Sequence, residues 1–205
     1  MLSYGSMYVI VVREEKIMSD SINPVGTQNI DTDRLILRPF VCEDAEVMFR
    51  NWASDKEVQH GYGEPVYNTL GEVQELLAKV IDKYSDKYFY RWVITLRDTG
   101  ECIGMAAYFL VDKNNNFGEI EYCIGSAFQG KGYATEACKA VIRYGFEKIG
   151  FNRVQICCRP ANKASNKVID KCGFTYEGTL RDFFYRDGKY EGRKYFSILR
   201  SEYKG

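Results

Sequence analysis

The sequence is poor in the residues that mark several classes of protein. It has one histidine, His60, and none of its seven cysteines forms a C-x-x-C pair, so a metal site is not expected. It has no run of eighteen apolar residues, so no membrane span is expected. Its 28 basic residues equal its 28 acidic residues, which argues against a protein that coats nucleic acid.

The composition is that of a globular chain. Of its 205 residues, 45% are hydrophobic and 15% are aromatic, which suits one domain with a substantial core. The odd number of cysteines, with Cys157 and Cys158 adjacent, is typical of reduced thiols and predicts a cytoplasmic protein.

The N-terminal segment does not have the pattern of a signal peptide. Its apolar run, MYVIVV, is short, with no basic segment before it and no small-residue cleavage site after it. We therefore expect residues 1–30 to be a leader, disordered or outside the fold, and residues 31–205 to form the domain.

Hydrophobic periodicity divides the domain into strands and helices. Strands are predicted at 34–40, 88–96, 102–111, 119–125 and 153–159, and in a C-terminal hairpin that turns at Asp187-Gly188. Helices are predicted at 44–53, 70–84, 132–148 and 162–172, with a loop or short helix between the first two and Thr69 as a cap. This order predicts an α/β (α+β) fold whose mixed sheet of about seven strands has helices on both faces.

The segment QGKG, residues 129–132, joins a predicted strand to a predicted helix. Backbone N–H groups at a helix N-terminus attract anions, and glycine lets the backbone approach them closely. The spacing excludes a P-loop, and Thr135 stands where the dinucleotide fingerprint needs its third glycine. Glycines also occur at strand-to-helix turns that bind nothing, so the loop alone leaves a plain turn open.

A third pattern fits the loop. Gln129, Gly132 and Ala134 match Q/R-x-x-G-x-G/A, and the segment thus resembles the coenzyme A pyrophosphate motif of the GNAT N-acetyltransferases. The segments TDRLILRPF, GEIEYCI, NKASNKVIDKCGFTYEGTLRD and YFSILRSEY resemble the RimJ/RimL-like branch, which includes ribosomal-protein N-terminal acetyltransferases. The resemblance covers residues 31–203 in one register.

The resemblance implies that acetyl-CoA is the co-substrate and lies where the sheet splays between strands 119–125 and 153–159. The backbone of Tyr122, Cys123 and Ile124 would pair with the pantetheine arm. The pyrophosphate would be bound by the loop and first helical turn: Gln129, Gly130, Lys131, Gly132, Tyr133, Ala134 and Thr135. Asn162 would contact the pantetheine, although it equally suits an N-cap, and Lys167 would approach the 3′-phosphate or adenine.

The implied reaction is direct transfer of the acetyl group to an amine, which needs a base. Glu119 matches the glutamate of the branch's AEIGYWI strand, so we predict that it acts as the base or positions a water. Glu121 stands where the branch usually has glycine. We expect it on a solvated strand face, although the departure could reshape the acceptor pocket. The resemblance places Ser165 near the thioester as a hydrogen-bond donor to the leaving sulfur.

The resemblance makes a protein N-terminal α-amine the default acceptor. A small-molecule amine (an antibiotic, a polyamine or an amino-acid conjugate) is the alternative, and a non-catalytic acetyl-CoA sensor or a nucleotide-binding protein is a rival of another class. The implied acceptor site lies among the first two helices and the hairpin, where Asp182, Tyr185 and Asp187 suit a cationic acceptor. Trp52 is expected in the core and His60 at the surface, in a monomer or a homodimer.

Overall fold

The computed structural model describes residues 22–186 and 188–205. These residues form an eight-stranded sheet of order β1-β2-β3-β4-β5-β6-β8-β7. Its strands are β1 Ile30–Asp31, β2 Leu35–Arg38, β3 Tyr90–Leu96, β4 Cys102–Asp112, β5 Phe117–Ile124, β6 Arg153–Cys158, β7 Thr175–Arg186 and β8 Lys189–Leu199. The pair β5–β6 is parallel and the other pairs are antiparallel, which confirms the mixed sheet. The count exceeds the predicted seven because the two-residue β1 is too short to show a period.

In the same described ranges, five α-helices lie among the strands: α1 Asp44–Met48, α2 Lys56–Tyr62, α3 Leu70–Asp82, α4 Tyr133–Tyr144 and α5 Lys163–Lys171. Helices α1 and α4 each continue into a π-helical turn, at Phe49–Ala53 and Gly145–Ile149. Thr69 caps α3 as predicted, in a capping box with Glu72. Over the described ranges, every helix is too short or too polar to cross a membrane.

The sheet separates two hydrophobic cores, because successive strand residues point to opposite faces. On one face, α4 packs against side chains such as Ile94 and Ile120. On the other face, α1 to α3 pack against side chains such as Val93 and Met105. Trp52 is 1% exposed in this second core, which confirms its predicted packing role.

The predicted leader falls mainly on residues 1–21, which lie outside the described residues. Residues 22–30 pack against the domain. Ile22 is buried, the Trp92 indole N–H donates to Gln28 O at 2.7 Å, and the Tyr144 hydroxyl donates to Gly26 O at 2.6 Å. The packed chain therefore includes residues before position 31.

Strands β5 and β6 pair over only half of β5. Their register runs from Phe117 opposite Arg153 to Ile120 opposite Ile156. Beyond that rung, β5 continues beside β4 as far as Ile124, and β6 continues beside β8 to Cys158. The sheet therefore opens between residues 121–124 and 157–158, where the resemblance implied a splay.

The C-terminal hairpin turns where predicted. Arg186 pairs with Lys189, so two residues join β7 to β8. Asp187, one of these two, lies outside the described residues. The register shifts between Leu180 and Phe184, which places three residues of β7 in a bulge at the edge of the sheet.

The contact between α4 and the sheet gives a stability prediction. A Cβ on Gly145 would overlap the hydroxyl oxygen of the buried Tyr108, which donates to Val141 O at 2.9 Å. We expect Gly145→Ala to lower the free energy of unfolding by about 1–3 kcal/mol, because overpacking outweighs the gain in helix propensity. Urea unfolding measures this. Gly61→Ala in α2, where a Cβ meets nothing within 4 Å, is the matched control and should be neutral or stabilising.

Candidate active site

The loop between β5 and α4 presents backbone N–H groups to the opening in the sheet. Gly130 and Gly132 have φ angles of 77° and 87°, in the left-handed region that glycine adopts without strain. Gly132 is the N-cap of α4, and no side chain in the described part of the chain caps this end. The N–H groups of the first turn, Tyr133, Ala134 and Thr135, thus remain available for an anion. This arrangement fits a pyrophosphate.

Gln129 ties this loop to the end of β5. Its side-chain amide donates to Ile124 O at 2.9 Å. The sequence motif therefore fixes the shape of the loop through Gln129. Lys131 is exposed, and its ammonium group lies 5.7 Å from the centroid of the Phe128 ring.

Arg34, the residue just before β2, supports the same loop and was not predicted from the sequence. Its guanidinium donates to Lys131 O at 3.0 Å and pairs with Glu136 at 2.6 Å. It also lies 4.8 Å from the centroid of the Tyr133 ring. No local pattern could reveal this contact, because 97 residues separate Arg34 from Lys131.

The residues predicted on α5 lie across the opening from the loop. Asn162 Oδ1 accepts a hydrogen bond from Ser165 N at 3.0 Å, so the N-cap interpretation of Asn162 is present in the structure. The Ser165 hydroxyl lies 3.2 Å from the Tyr122 hydroxyl. Burial raises the pKa of Tyr122, which keeps its proton in place. Lys167 lies exposed on α5, and its contact with the nucleotide stays a prediction.

Glu119 lies at the inner end of the opening. It is 4% exposed and accepts a hydrogen bond from the Gln155 amide at 2.7 Å. It is one rung before Ile120, the last β5 residue paired with β6. Burial, followed by the charge of Glu119, raises the pKa of the neighbouring Cys157 thiol to about 12. The site therefore holds a buried carboxylate beside a neutral thiol.

The expectation for Glu121 is wrong. The side chain is 18% exposed and forms an ion pair with Arg91 at 2.7 Å. Burial raises the pKa of Glu121, and the charge of Arg91 and a hydrogen bond with Tyr62 oppose the rise. Strand periodicity gave the correct face, but α2 covers that face and excludes much of the solvent.

A cleft on the same side of the sheet runs from α2 to the hairpin. It is lined by Lys56, Glu57, His60, Gly63, Glu64, Pro65, Val66 and Arg186. Arg159 and Arg186 both donate to His60 O at 2.7 Å, and so join α2 to the ends of β6 and β7. His60 is exposed, as expected.

Two of the hairpin residues expected at the acceptor site, Asp182 and Tyr185, are not among the residues that line this cleft. Asp182 is in the β7 bulge with a φ of 48°, and Tyr185 is 64% exposed against Tyr190. Neither lines the cleft, which takes Arg186 from the hairpin instead.

Comparison with known proteins identifies the family. The model of the acetyltransferase (GNAT) domain matches residues 34–175. The chain belongs to the GNAT acetyltransferase family. It is 32% identical over 178 residues to the uncharacterised N-acetyltransferase p20 of Bacillus licheniformis, covering 87% of this chain and 99% of p20. The GNAT assignment confirms an acetyl-CoA-dependent N-acetyltransferase, with acetyl-CoA as its co-substrate.

Other GNAT relatives differ in the acceptor that their names indicate. YdaF of Bacillus subtilis, provisionally named a ribosomal N-acetyltransferase, is 39% identical over 106 residues, 52% of this chain and 58% of YdaF. Spermidine N(1)-acetyltransferase of Escherichia coli K12 is 25% identical over 167 residues, 82% of this chain and 87% of that enzyme. A GNAT acetyltransferase structure from Bacillus anthracis superposes with a TM-score of 0.76 at 24% identity, covering 85% of this chain and all of that one, which confirms the fold.

The support of the loop by Arg34 gives a binding prediction. We expect Arg34→Gln to weaken acetyl-CoA binding about three- to tenfold, because the loop loses an anchor worth roughly 1 kcal/mol at an exposed site. Isothermal titration calorimetry measures the change. Arg50→Gln breaks a comparable exposed pair, with Glu101 at 2.9 Å, that does not touch the loop. It should bind acetyl-CoA as the wild type does, and equal affinities for all three proteins would contradict the prediction.

Proposed function

We propose that this enzyme acetylates the α-amine at the N-terminus of a protein or peptide. The main support is the charge of the cleft between α2 and the hairpin, which we call the acceptor-side cleft. Along its wall, the positive charges of Lys56 and Arg186 balance the negative charges of Glu57 and Glu64. A polyamine with several positive charges is favoured by a predominantly acidic wall. A peptide N-terminus brings one ammonium group followed by neutral amides, and it suits a wall of mixed charge.

The relatives support two acceptor classes. The similarity to YdaF supports ribosomal-protein N-termini and the RimJ/RimL-like branch. The similarity to spermidine N(1)-acetyltransferase extends over more of the chain at lower identity, and it keeps a polyamine as the second candidate. Because all seven cysteines are free thiols, we also propose a cytoplasmic location.

The opening between β5 and β6 would hold the donor. The strand edge of Tyr122, Cys123 and Ile124 has no β6 partner, so it can pair with the amide groups of the pantetheine arm. The N-terminus of α4, with Gly130 to Thr135, would bind the pyrophosphate, and Lys167 would approach the far end of the nucleotide. Acetyl-CoA supplies the activated acyl group.

The chain's own residues would then move the protons. Glu119, oriented by Gln155, would accept through a water one proton of the acceptor's ammonium group, which leaves a neutral amine to attack the thioester carbonyl. The second proton that the nitrogen loses as the amide forms would neutralise the departing thiolate through solvent. As the new C–N bond forms and the C–S bond breaks, Ser165 would donate a hydrogen bond to the departing sulfur. Tyr122 lies close enough to orient the Ser165 hydroxyl, so the two act as one donor unit.

An acceptor screen tests the proposed function. Free thiol release from acetyl-CoA would be measured with peptides of varied N-terminal residue, with the same peptides blocked at the N-terminus, and with spermidine. We expect release with free N-termini and none with blocked ones. If thiol is released with spermidine and with none of the peptides, the acceptor is a polyamine and the proposed function is wrong.

Replacing Glu119 tests the assigned base. We expect Glu119→Gln to lower kcat by about 10²–10⁴-fold, the usual contribution of a positioned base, with acetyl-CoA affinity changed less than threefold. Steady-state kinetics and calorimetry on the same preparation measure both. Glu75→Gln, at an exposed carboxylate on α3 outside the cleft lining, is the charge-matched control for kcat. An unchanged kcat in Glu119→Gln would remove Glu119 from the mechanism.

A further inference from the structure

Arg91, Ala107 and Glu121 form one row across three neighbouring strands. Arg91 pairs with Ala107 in the β3–β4 register, and Ala107 pairs with Glu121 in the β4–β5 register. Strand spacing puts the backbones of Arg91 and Glu121 about 10 Å apart. The arginine therefore reaches Glu121 by lying over Ala107, whose methyl group leaves the room for it.

Tyr62 closes this row from above. Its hydroxyl hydrogen-bonds the Glu121 carboxylate and lies 3.1 Å from Met105 Sδ, and Arg91 Nη1 lies 3.7 Å from the same sulfur. Tyr62 is two residues after His60 on α2, and His60 lines the acceptor-side cleft. The ion pair and the cleft thus share one helix as their wall.

The row lies at the start of the opening in the sheet. Glu121 is the first residue of β5 beyond its last rung with β6. Its side chain is on the face of α1 to α3, while the neighbouring Tyr122 points to the α4 side. The side chains of Arg91 and Glu121 are 24% and 18% exposed, so α2 and Tyr62 cover the ion pair only in part.

We propose that Glu121 binds the amine of the acceptor and that Arg91 donates to the oxygen next to that amine. The acceptor class is then an α-aminoacyl group, in which a carbonyl lies one carbon from the amine, as at a peptide N-terminus. This inference rests on the proposed function and deepens it.

The donor count of Arg91 supports both contacts. A guanidinium carries five N–H donors in a rigid fork, and the contacts to Glu121, Met105 and the Tyr62 hydroxyl use three of them. Arg91 also offsets the charge of Glu121, so the pair suits a single ammonium group better than a polycation. A carboxylate beside an arginine thus matches an amine beside a carbonyl.

Glu119 and Glu121 would have different roles in the reaction. They lie on the same strand face, about 7 Å apart along β5. Glu121 would position the amine at the mouth of the opening, while Glu119 takes its proton deeper in the site. Glu121 is therefore proposed as a specificity-determining residue, and its loss should affect acceptor binding more than the chemical step.

Kinetics with a matched pair of acceptors tests this. Alaninamide and isopropylamine have the same amine and methyl group, but only alaninamide has the neighbouring carbonyl. We expect the wild type to prefer alaninamide. Glu121→Gln should raise KM for alaninamide roughly 10- to 100-fold, the loss of a charge-assisted hydrogen bond, with kcat within threefold. Glu121→Asp should recover part of this loss, because it restores the carboxylate.

Arg91→Gln tests the second contact. It should reduce the preference for alaninamide over isopropylamine about tenfold or more, because only alaninamide offers an oxygen to Arg91. Thermal unfolding and acetyl-CoA affinity report whether each variant is folded. If a single variant does not fold, the double variant Arg91→Gln/Glu121→Gln replaces it, because it leaves no unpaired charge. If the double variant still prefers alaninamide to isopropylamine, the proposed role of the pair is wrong.

Two failures are distinguishable. If the wild type acetylates alaninamide and peptides, but Glu121→Gln lowers kcat and leaves KM unchanged, Glu121 belongs to the chemical step and the positioning role is wrong. If the wild type acetylates spermidine and no α-aminoacyl acceptor, the proposed function fails, and this inference fails with it.

Discussion

The site depends on the parting of β5 and β6 after the rung that joins Ile120 to Ile156. A strand edge with unpaired N–H and C=O groups needs another partner, since leaving buried backbone groups unsatisfied costs free energy. The neighbouring pairs keep the two edges apart, because β5 stays bound to β4 and β6 stays bound to β8. The fold thus maintains an unpaired strand edge in the middle of its sheet, and a ligand with amide groups along its length can pair with it.

The contacts around the gap act mainly as positioning devices. Gln129 binds the end of β5, and Arg34 binds the carbonyl of Lys131, so the loop at the start of α4 is attached to the sheet on two sides. Across the gap, Asn162 caps α5 and fixes the start of that helix beside Tyr122. Each of these bonds is modest in energy, but together they set where the N–H groups of α4 point before any ligand arrives, which reduces the ordering cost of binding.

The parts of the site that could be predicted from the sequence depend on local spacing. The loop at 129–135 and the cap at Thr69 follow from residues within one turn of each other, and the hairpin turn follows from two adjacent residues. Contacts between distant segments leave no such trace. The pair of Arg91 and Glu121 spans 30 residues, and it forms only because Ala107 lies between them in two independent strand registers. The strand period predicted which face of the sheet Glu121 lies on. Whether that face is exposed to solvent depends on which helix packs over it, and the strand period does not reveal this.

The alternation of side chains along β5 would separate the two proposed substrate sites. Residues 120, 122 and 124 face α4, on the side where the coenzyme loop and α5 lie, whereas 119, 121 and 123 face α1 to α3 and the cleft. In the proposed arrangement, one strand therefore contributes its edge and one face to the donor site and its other face to the acceptor site. Because a strand repeats every two residues, changes at 119 or 121 can alter the acceptor site while Tyr122 keeps its place on the donor side. In the proposed arrangement, the coenzyme site can stay the same while the acceptor changes, and Glu121 stands where the RimJ/RimL-like branch that the sequence resembles usually has glycine.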